Sequence, residues 1–300
     1  MSTPYRSWLL AESPNSRRQA AWGRRYRIWL RFRGDRPAMA ALVVIAVLAL
    51  ICAGAPLLGL QDPAAQTLTA RVAAPSGSHW LGTDELGRDI LARVIHGGRI
   101  TLGLTTIILL LVAPTGLLIG AFAGYLGGLV DQLLMRITDV FLAFPRLVLA
   151  LAFVAALKPG IGGAICAVTL TSWPLYARLA RAETLAIRQS DFIAAVRLTG
   201  AGSARIVLHH IMPLCLPSII VRAALDGGGI MLTIATLGFL GMGVQPPVPE
   251  WGAMIAASRD LILQQWWVPA MPGGMVFLAA LAFTLIGDGL RDALDPKRAA

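Results

Sequence analysis

The sequence predicts an all-α membrane protein with six transmembrane helices. Hydrophobic residues make up 56% of the 300 residues and charged residues only 14%, with a mean hydropathy of +0.69. A soluble domain carries about 25% charged residues, so this chain has too few charges to cover a water-facing surface. Six long apolar stretches alternate with segments that hold most of the arginines. These observations exclude a soluble globular domain and an intrinsically disordered chain.

The predicted spans follow from the length that a helix needs to cross the hydrocarbon core, about 20 residues. The first stretch is uncharged, and the second is long enough for one tilted helix. The third is interrupted by an arginine beside a proline, and the fourth is short and rich in glycine. The six spans cover residues 38–60, 100–130, 140–157, 159–177, 214–240 and 271–286.

The basic residues predict the orientation. Of the 26 basic residues, 24 are arginines, and nine of these precede residue 37. Alternating the six spans places 18 basic residues on the side of the N-terminus and five on the other. Because basic loops stay in the cytoplasm, both termini are predicted to be cytoplasmic. The resulting organisation is a basic N-terminal segment 1–36, a first transmembrane helix 37–60, an external loop 61–98, a five-helix core 99–291 with a basic loop 183–208, and a cytoplasmic tail 292–300.

The N-terminal segment mixes Trp, Tyr and Phe with arginine over residues 22–33. Such a stretch could bind nucleic acid. Its position directly before an apolar span favours contact with anionic membrane lipids instead. The span that follows is longer than the apolar region of a signal peptide and its leader is long, which predicts an uncleaved anchor.

No motif for catalysis is present. The two lysines, Lys158 and Lys297, do not lie in the Gly-Lys-Ser/Thr sequence by which a P-loop binds phosphates. The three cysteines are far apart and form no CxxC. We therefore expect a non-catalytic chain that binds no metal and no cofactor of its own, which leaves transport or membrane scaffolding.

The fifth span carries two charges, Arg222 and Asp226. They are four residues apart, so they share one helix face and can pair with each other. If the helix begins near Leu214, Asp226 lies about 18 Å along it, where a charge costs about 2.5–3.5 kcal/mol. The pair must therefore face protein or a water-filled path. The alternatives are a structural ion pair and a pathway contact for the charged ends of a substrate.

The basic loop contains a short predicted helix that Asp191 caps, that runs to residue 197 or 198, and that Gly200 ends. Ala194 and Ala195 give this helix a small-residue face that can approach another protein closely. An ordinary interhelical loop is the alternative.

Ala194-Ala195, Gly200 and the later Pro213 and Pro217 resemble the EAA loop of ABC importer permeases, with Ile193 where glutamate is usual. Further segments at 79–90, 124–131, 135–139, 237–247, 250–252 and 287–296 are similar to the C-type permeases of dipeptide, oligopeptide and nickel importers. The resemblance covers about residues 30–298. In this family the loop is a coupling helix that docks on an ATPase subunit. The resemblance assigns that role to Asp191, Phe192, Ala194, Ala195, Arg197, Gly200 and Ala201.

The resemblance implies a type I ABC importer permease fold in the bacterial inner membrane. The chain would form half of a pathway whose other half is a B-type sister permease. Two ATPase subunits would bind ATP and Mg, and an external binding protein would deliver a di- or oligopeptide. Nickel or other metal chelates, glutathione and opines are alternative substrates. Charges at both 222 and 226 are not typical of the family. A self-sufficient secondary transporter is an alternative of another class, although the internal repeats common in such proteins are not evident.

Two external segments are candidates for docking the binding protein or for an outer gate, with rigid structural turns as the alternative. In the first, Gly82 and Gly87 are predicted to shape turns and Asp84 to cap a helix that runs to residue 94. Its acidic residues lack the spacing of an EF-hand calcium loop. The candidates in both segments are Gly82, Thr83, Asp84, Gly87, Arg88, Asp89, Gln245, Pro246, Glu250 and Trp251.

Overall fold

The structure, a computed structural model, describes residues 8–10 and 16–294. Parts of the predicted N-terminal segment 1–36 and of the predicted tail 292–300 therefore lie outside the described residues. Within the described residues the regular structure is helical, apart from one isolated antiparallel bridge between Thr83 and Asp89. The all-α prediction is confirmed.

Most of the described residues lie in helices. They are α1 (Arg17–Gly34), α2 (Arg36–Ala53), α3 (Ile90–Leu126), α4 (Gly128–Leu142), α5 (Arg146–Leu157), α6 (Ile161–Ile187), α7 (Asp191–Leu198), α8 (Ser203–Ile206), α9 (Met212–Phe239), α10 (Trp251–Ala257) and α11 (Trp267–Leu294). A π-helical turn, Val207–Ile211, joins α8 to α9. Short 3-10 turns lie at Ala55–Leu57, Leu68–Ala70 and Arg259–Leu261.

Four helical stretches in the described part of the chain are long and apolar enough to cross a membrane: α2, α3, α11 and the continuous stretch Ser203–Phe239 that contains α8 and α9. A fifth span results if α4 and α5, which meet at a bend of 94°, are taken together. Helix α6 has the length but not the hydropathy, because hydroxyl groups and a proline lie in its middle and Arg178, Arg181 and Glu183 in its C-terminal half. By length and hydropathy, four or five helical stretches of the described residues could therefore cross a membrane, and not the predicted six.

Several predicted boundaries were wrong for local reasons. Helix α2 ends at Ala53 rather than residue 60 because Gly54 and Pro56 follow it. Helix α3 begins ten residues earlier than predicted, where Asp89 caps it, and ends at Gly127 in the left-handed region (φ 68°). The bend between α4 and α5 falls at Pro145, because a proline disfavours helical conformation in the residue before it.

Close packing of α3 on α6 forms the centre of the bundle. Gly116, Gly120 and Gly124 recur every fourth residue along one face of α3. A Cβ added to the first two would overlap Tyr176 and the backbone of Ala177 on α6. Small residues at this spacing let two helix backbones approach each other, as in other membrane bundles.

The two ends of the bundle are distinct. At one end Gly289 of α11 lies against Phe32 of α1 and Ala38 of α2, which brings the described N- and C-terminal parts together. At the opposite end Trp251 packs against Gly98, and Trp267 lies beside Gly82. The two predicted external segments therefore share one end of the molecule.

Candidate functional site

The predicted coupling helix is present as α7. Its N-cap is Ser190 rather than Asp191, which is the first helical residue, because the extended backbone (ψ 147°) is at Ser190. The helix ends at Leu198, and Gly200 takes the left-handed conformation (φ 80°). The predicted end of the helix and the left-handed conformation of Gly200 after it are confirmed.

One face of α7 is buried and the other is open. Ile193, which stands where the family motif usually has glutamate, is fully buried. Phe192 is 52% and Leu198 90% exposed, and Ala194 and Ala195 lie exposed between them. The chain thus presents a small, apolar surface around two alanines, with a large apolar residue near each end of the helix.

Arginines hold α7 against the end of α3. Arg197 donates from Nε to the hydroxyl of Tyr125 at 3.2 Å, and its guanidinium lies 5.1 Å from the centre of that ring. Arg188, just before α7, donates to the carbonyl of Gly124 at 2.8 Å. On the other side of α7 Phe192 packs edge-on against His210 with ring centres 5.7 Å apart. Ala201, in the turn after α7, is partly buried.

The C-terminal half of α6 is fixed to α4 by ion pairs. Arg181 donates two hydrogen bonds to Asp131, from Nε to Oδ1 at 2.5 Å and from Nη2 to Oδ2 at 2.6 Å. Arg178 donates to Asp139 at 2.7 Å, although both of these side chains are more than half exposed. A bidentate arginine–carboxylate pair fixes orientation as well as distance, so α4 and α6 are held in a defined arrangement.

A second polar site lies inside the bundle around Asp226. Nη1 of Arg146, at the start of α5, donates to Oδ1 of Asp226 at 2.9 Å, and the hydroxyl of Tyr176 on α6 lies 3.4 Å from Oδ2. Arg222 and Asp226 therefore do not form the structural ion pair that is one of the two alternatives for these charges. The carboxylate points across to α5 and α6, and Arg222 forms no ion pair within the described residues.

Arg222 instead lines a cavity of about 400 Å³ between the ends of α6, α9 and α11. Glu183, Ser218 and Arg291 contribute the other polar side chains of its wall. The apolar part of the wall is formed by Leu179, Pro217, Val221, Leu225 and Leu294. The cavity lies at the end of the bundle where the described N- and C-terminal helices meet.

The first external segment folds around Asp84. Its Oδ1 accepts the backbone N–H groups of Leu86 and Arg88 at 2.9 Å, and its Oδ2 accepts Nε of Arg88 at 2.7 Å. Nε of Arg93 lies 3.2 Å from the same oxygen. The prediction that Asp84 caps a helix was wrong, because its side chain holds this turn. Asp89 caps α3 instead, accepting from the N–H of Ala92 at 2.8 Å.

The candidate residues of this segment are all buried within the chain: Gly82, Thr83, Asp84, Gly87, Arg88 and Asp89. Thr83 bridges two backbone groups, donating to the carbonyl of Ala70 and accepting from the N–H of Ala73 at 2.8 Å. Asp89 also contacts Nδ1 of His79 at 2.9 Å. This geometry fits an internally braced turn, and the exposed indole of Trp80 is part of its open surface.

In the second external segment Glu250 and Trp251 are fully buried. Glu250 accepts the N–H groups of Gly252 and Ala253 at 2.9 Å, and the hydroxyl of Thr101 at 3.1 Å. Burial raises the pKa of the Glu250 carboxyl, and these three donors oppose that rise. Trp251 donates from Nε1 to the carbonyl of Val94 at 2.8 Å. Gln245 and Pro246, in contrast, are exposed.

Three residues of the inner polar sites were not among the predicted site residues: Arg146, Tyr176 and Glu183. A signal for Arg146 existed, because it is the one charge in the predicted third span and Asp226 needed a partner. The helical spacing within one segment favoured Arg222, and nothing in the sequence placed α5 beside α9.

Two family models match the chain. Residues 116–300 match the binding-protein-dependent transport system inner membrane component, and residues 24–75 match the N-terminal transmembrane domain of oligopeptide transport permease C.

Curated relatives cover nearly the whole chain. It is 41% identical over 270 residues to a probable D,D-dipeptide transport system permease protein of Escherichia coli K12, covering 90% of each chain. It is 41% identical over 277 residues to a di/tripeptide transport system permease protein of Pseudomonas aeruginosa, covering 90% of this chain and 91% of the relative. It is 44% identical over 260 residues to the nickel transport system permease protein of E. coli K12, covering 85% and 92%.

Among solved structures, a chain of the MetNI methionine ABC transporter in an inward-facing conformation superposes with a TM-score of 0.56 at 19% sequence identity. The match covers 69% of this chain and 98% of that chain. At this identity the similarity concerns the fold alone.

Proposed function

The chain belongs to the family of binding-protein-dependent transport system inner membrane components, among its C-type dipeptide, oligopeptide and nickel permeases, and from this premise we propose that it forms half of the pathway of an ATP-driven importer of di- or oligopeptides. It is a multi-pass inner-membrane protein. The peptide substrate is inferred from the names of the relatives, several of which are dipeptide permeases.

The surface of α7 is the observation that carries the proposal. Two exposed alanines lie between exposed Phe192 and Leu198, and the helix is fastened to α3 through Arg197 and Arg188. A helix held in this way moves as a rigid body, so its displacement is transmitted to the bundle. We propose that it docks in a groove of an ATPase subunit. Two such subunits would bind ATP and Mg and drive the permease, which itself catalyses nothing.

The membrane topology that we propose has six spans with both termini in the cytoplasm. Helix α6 would be the sixth span, because it packs along α3 over its length and its polar residues face other helices or its end. The junction of α11 with α1 and α2 at one end of the bundle supports termini on one side. Residues 99–291 would form the core domain, with 183–208 as the coupling loop.

The partners that we propose are a B-type sister permease, which completes the pathway, and an external binding protein, which delivers the substrate. Gln245, Pro246 and Trp80 are the exposed candidates for its docking. The buried candidates would hold these loops in place or form part of an outer gate. They lie between Gly82 and Asp89 and at Glu250 and Trp251. We propose Asp226 with Arg146, and Arg222, as polar contacts along the pathway, because charges inside a bundle face protein or water.

The relative that transports nickel, at 44% identity, favours a second candidate substrate, a nickel or metal chelate carried by the same type of importer. Glutathione and opines remain alternatives that the resemblance implies. The substrate classes differ in the binding protein that delivers them, so each can be supplied to the same reconstituted permease.

The experiment is uptake into proteoliposomes that contain the permease pair and its ATPases, with the binding protein outside and ATP inside. Labelled dialanine should accumulate only with ATP, and a variant ATPase that cannot hydrolyse ATP provides the control. Uptake of a nickel chelate in place of dialanine would select the second candidate. Accumulation without ATP, driven by an ion gradient, would instead identify a secondary transporter.

A further inference from the structure

The cavity between α6, α9 and α11 contains charges of both signs. Glu183 lies on α6, Arg222 on α9 and Arg291 in the last turn of α11. Among the described residues none of the three takes part in an ion pair, although all three line the same cavity. Its volume of about 400 Å³ falls within the range of sites for small molecules.

The charged groups are also incompletely hydrogen-bonded. Oε2 of Glu183 and Nε of Arg222 are buried and have no hydrogen-bond partner. An unsatisfied buried donor or acceptor destabilises the fold, and more strongly if it is charged. Two opposite charges in one cavity could relieve this cost by pairing with each other, but they do not lie within ion-pair distance. A ligand that carries both charges would satisfy both groups at once.

The chemistry of the wall defines that ligand. The planar guanidinium of Arg222 suits a carboxylate, with Arg291 adding positive charge at the exposed edge of the cavity. The carboxylate of Glu183 suits an ammonium group. The apolar wall of Leu179, Val221 and Leu225 suits short aliphatic side chains. Two extended residues span about 7 Å, which such a volume accommodates.

We propose that this cavity binds a zwitterionic amino acid or dipeptide, with its carboxylate on Arg222 and its ammonium group on Glu183. The inference rests on the proposed function and adds a substrate site inside this subunit, at the end of the bundle that carries the coupling loop. The next polar group along α9 is Asp226 with its partner Arg146, one helical turn further into the bundle. A peptide would therefore reach the cavity after the Asp226 site on its way to the cytoplasm.

The test is direct binding of dialanine to the purified importer complex without the binding protein, measured by isothermal titration calorimetry. Dialanine should bind, and N-acetyl-dialanine and dialanine amide, which each lack one terminal charge, should bind about tenfold or more weakly. Glu183→Gln should lose the distinction between dialanine and its N-acetyl derivative. Arg222→Gln should lose the distinction between dialanine and its amide.

The matched controls are Arg259→Gln and Asp260→Asn, which remove one charge of each sign from the exposed opposite end of the molecule. Both should bind the three probes as the unchanged complex does. Retained discrimination in Glu183→Gln and Arg222→Gln would overturn the proposal, and so would the absence of any dialanine binding. Binding of phosphatidylethanolamine but not of dialanine would also overturn the proposal, because the zwitterion in the cavity would then be a lipid headgroup. ATP-driven uptake by the same preparation separates these failures from a failure of the proposed function.

Discussion

Replacing Asp226 by asparagine tests whether the buried ion pair with Arg146 holds α5 to α9. Asp226 is 8% exposed and accepts Nη1 of Arg146 at 2.9 Å. In the variant the guanidinium loses its counter-charge while its Nε and Nη2 atoms are already buried without partners. Breaking a buried pair from one side costs about 3–5 kcal/mol. Because the Arg146 side chain is still 24% exposed, we expect a loss near the lower end, about 3 kcal/mol.

A double-mutant cycle separates this coupling from local effects. Asp226→Asn and Arg146→Met should each destabilise the protein, and the double variant should recover much of the loss, because no unpaired charge remains. The coupling energy should reach about 2 kcal/mol, measured by unfolding in mixed micelles with an increasing fraction of SDS. The exposed pair Arg178–Asp139 is the matched control and should give about 0–1 kcal/mol. Additive losses in the Arg146–Asp226 cycle would refute the assignment.

The remaining predictions concern α7, the proposed coupling helix, and the two segments that are predicted to be external. Ala195→Trp, on the exposed face of α7, should reduce peptide uptake about fivefold or more while ATP hydrolysis continues, because a bulky side chain prevents close docking; unchanged uptake in proteoliposomes would contradict the docking role. Gly87→Ala should destabilise the chain by at least about 2 kcal/mol, because Gly87 has φ 73° and a Cβ there would overlap the backbone of Thr67. Gly77→Ala, where a Cβ meets nothing within 4 Å, should leave the unfolding transition unchanged, and equal effects of the two would refute the steric reason. Burial raises the pKa of Glu250, so the stabilising contribution of its carboxyl group should be full below the ordinary glutamate pKa and lost as the pH rises through the raised pKa. Glu250→Gln should remove this part of the pH dependence of stability. A Gln variant with the same pH profile of stability would contradict the prediction.

The composition and the alternation of long apolar stretches with charged segments were sufficient to predict an all-α membrane protein. A chain with so few charges cannot cover a water-facing surface, so lipid must cover much of it. The boundaries depended on local signals that compete. Asp84 and Asp89 are both capable helix caps, and the contacts of Asp84 with Arg88 and Arg93 leave Asp89 as the cap of α3.

Helix α7 could be predicted well because its signals are local. Gly200 supplies the left-handed residue that ends α7, and the small residues before it remain exposed. The inner polar sites could not be predicted in the same way. Asp226 and Arg146 are 80 residues apart, and their meeting depends on the bend at Pro145 and on the packing of α5, α6 and α9. Glu183 and Arg222 likewise become neighbours of one cavity only in the folded bundle.

The central claim is that this permease works only as part of an ATP-driven importer, and affinity purification of the chain from its native membrane tests it most directly. We predict recovery of a second permease and of one or two P-loop ATPases, together with ATP turnover by the purified complex. Recovery of this chain alone, in a form that transports substrate without ATP, would contradict the account.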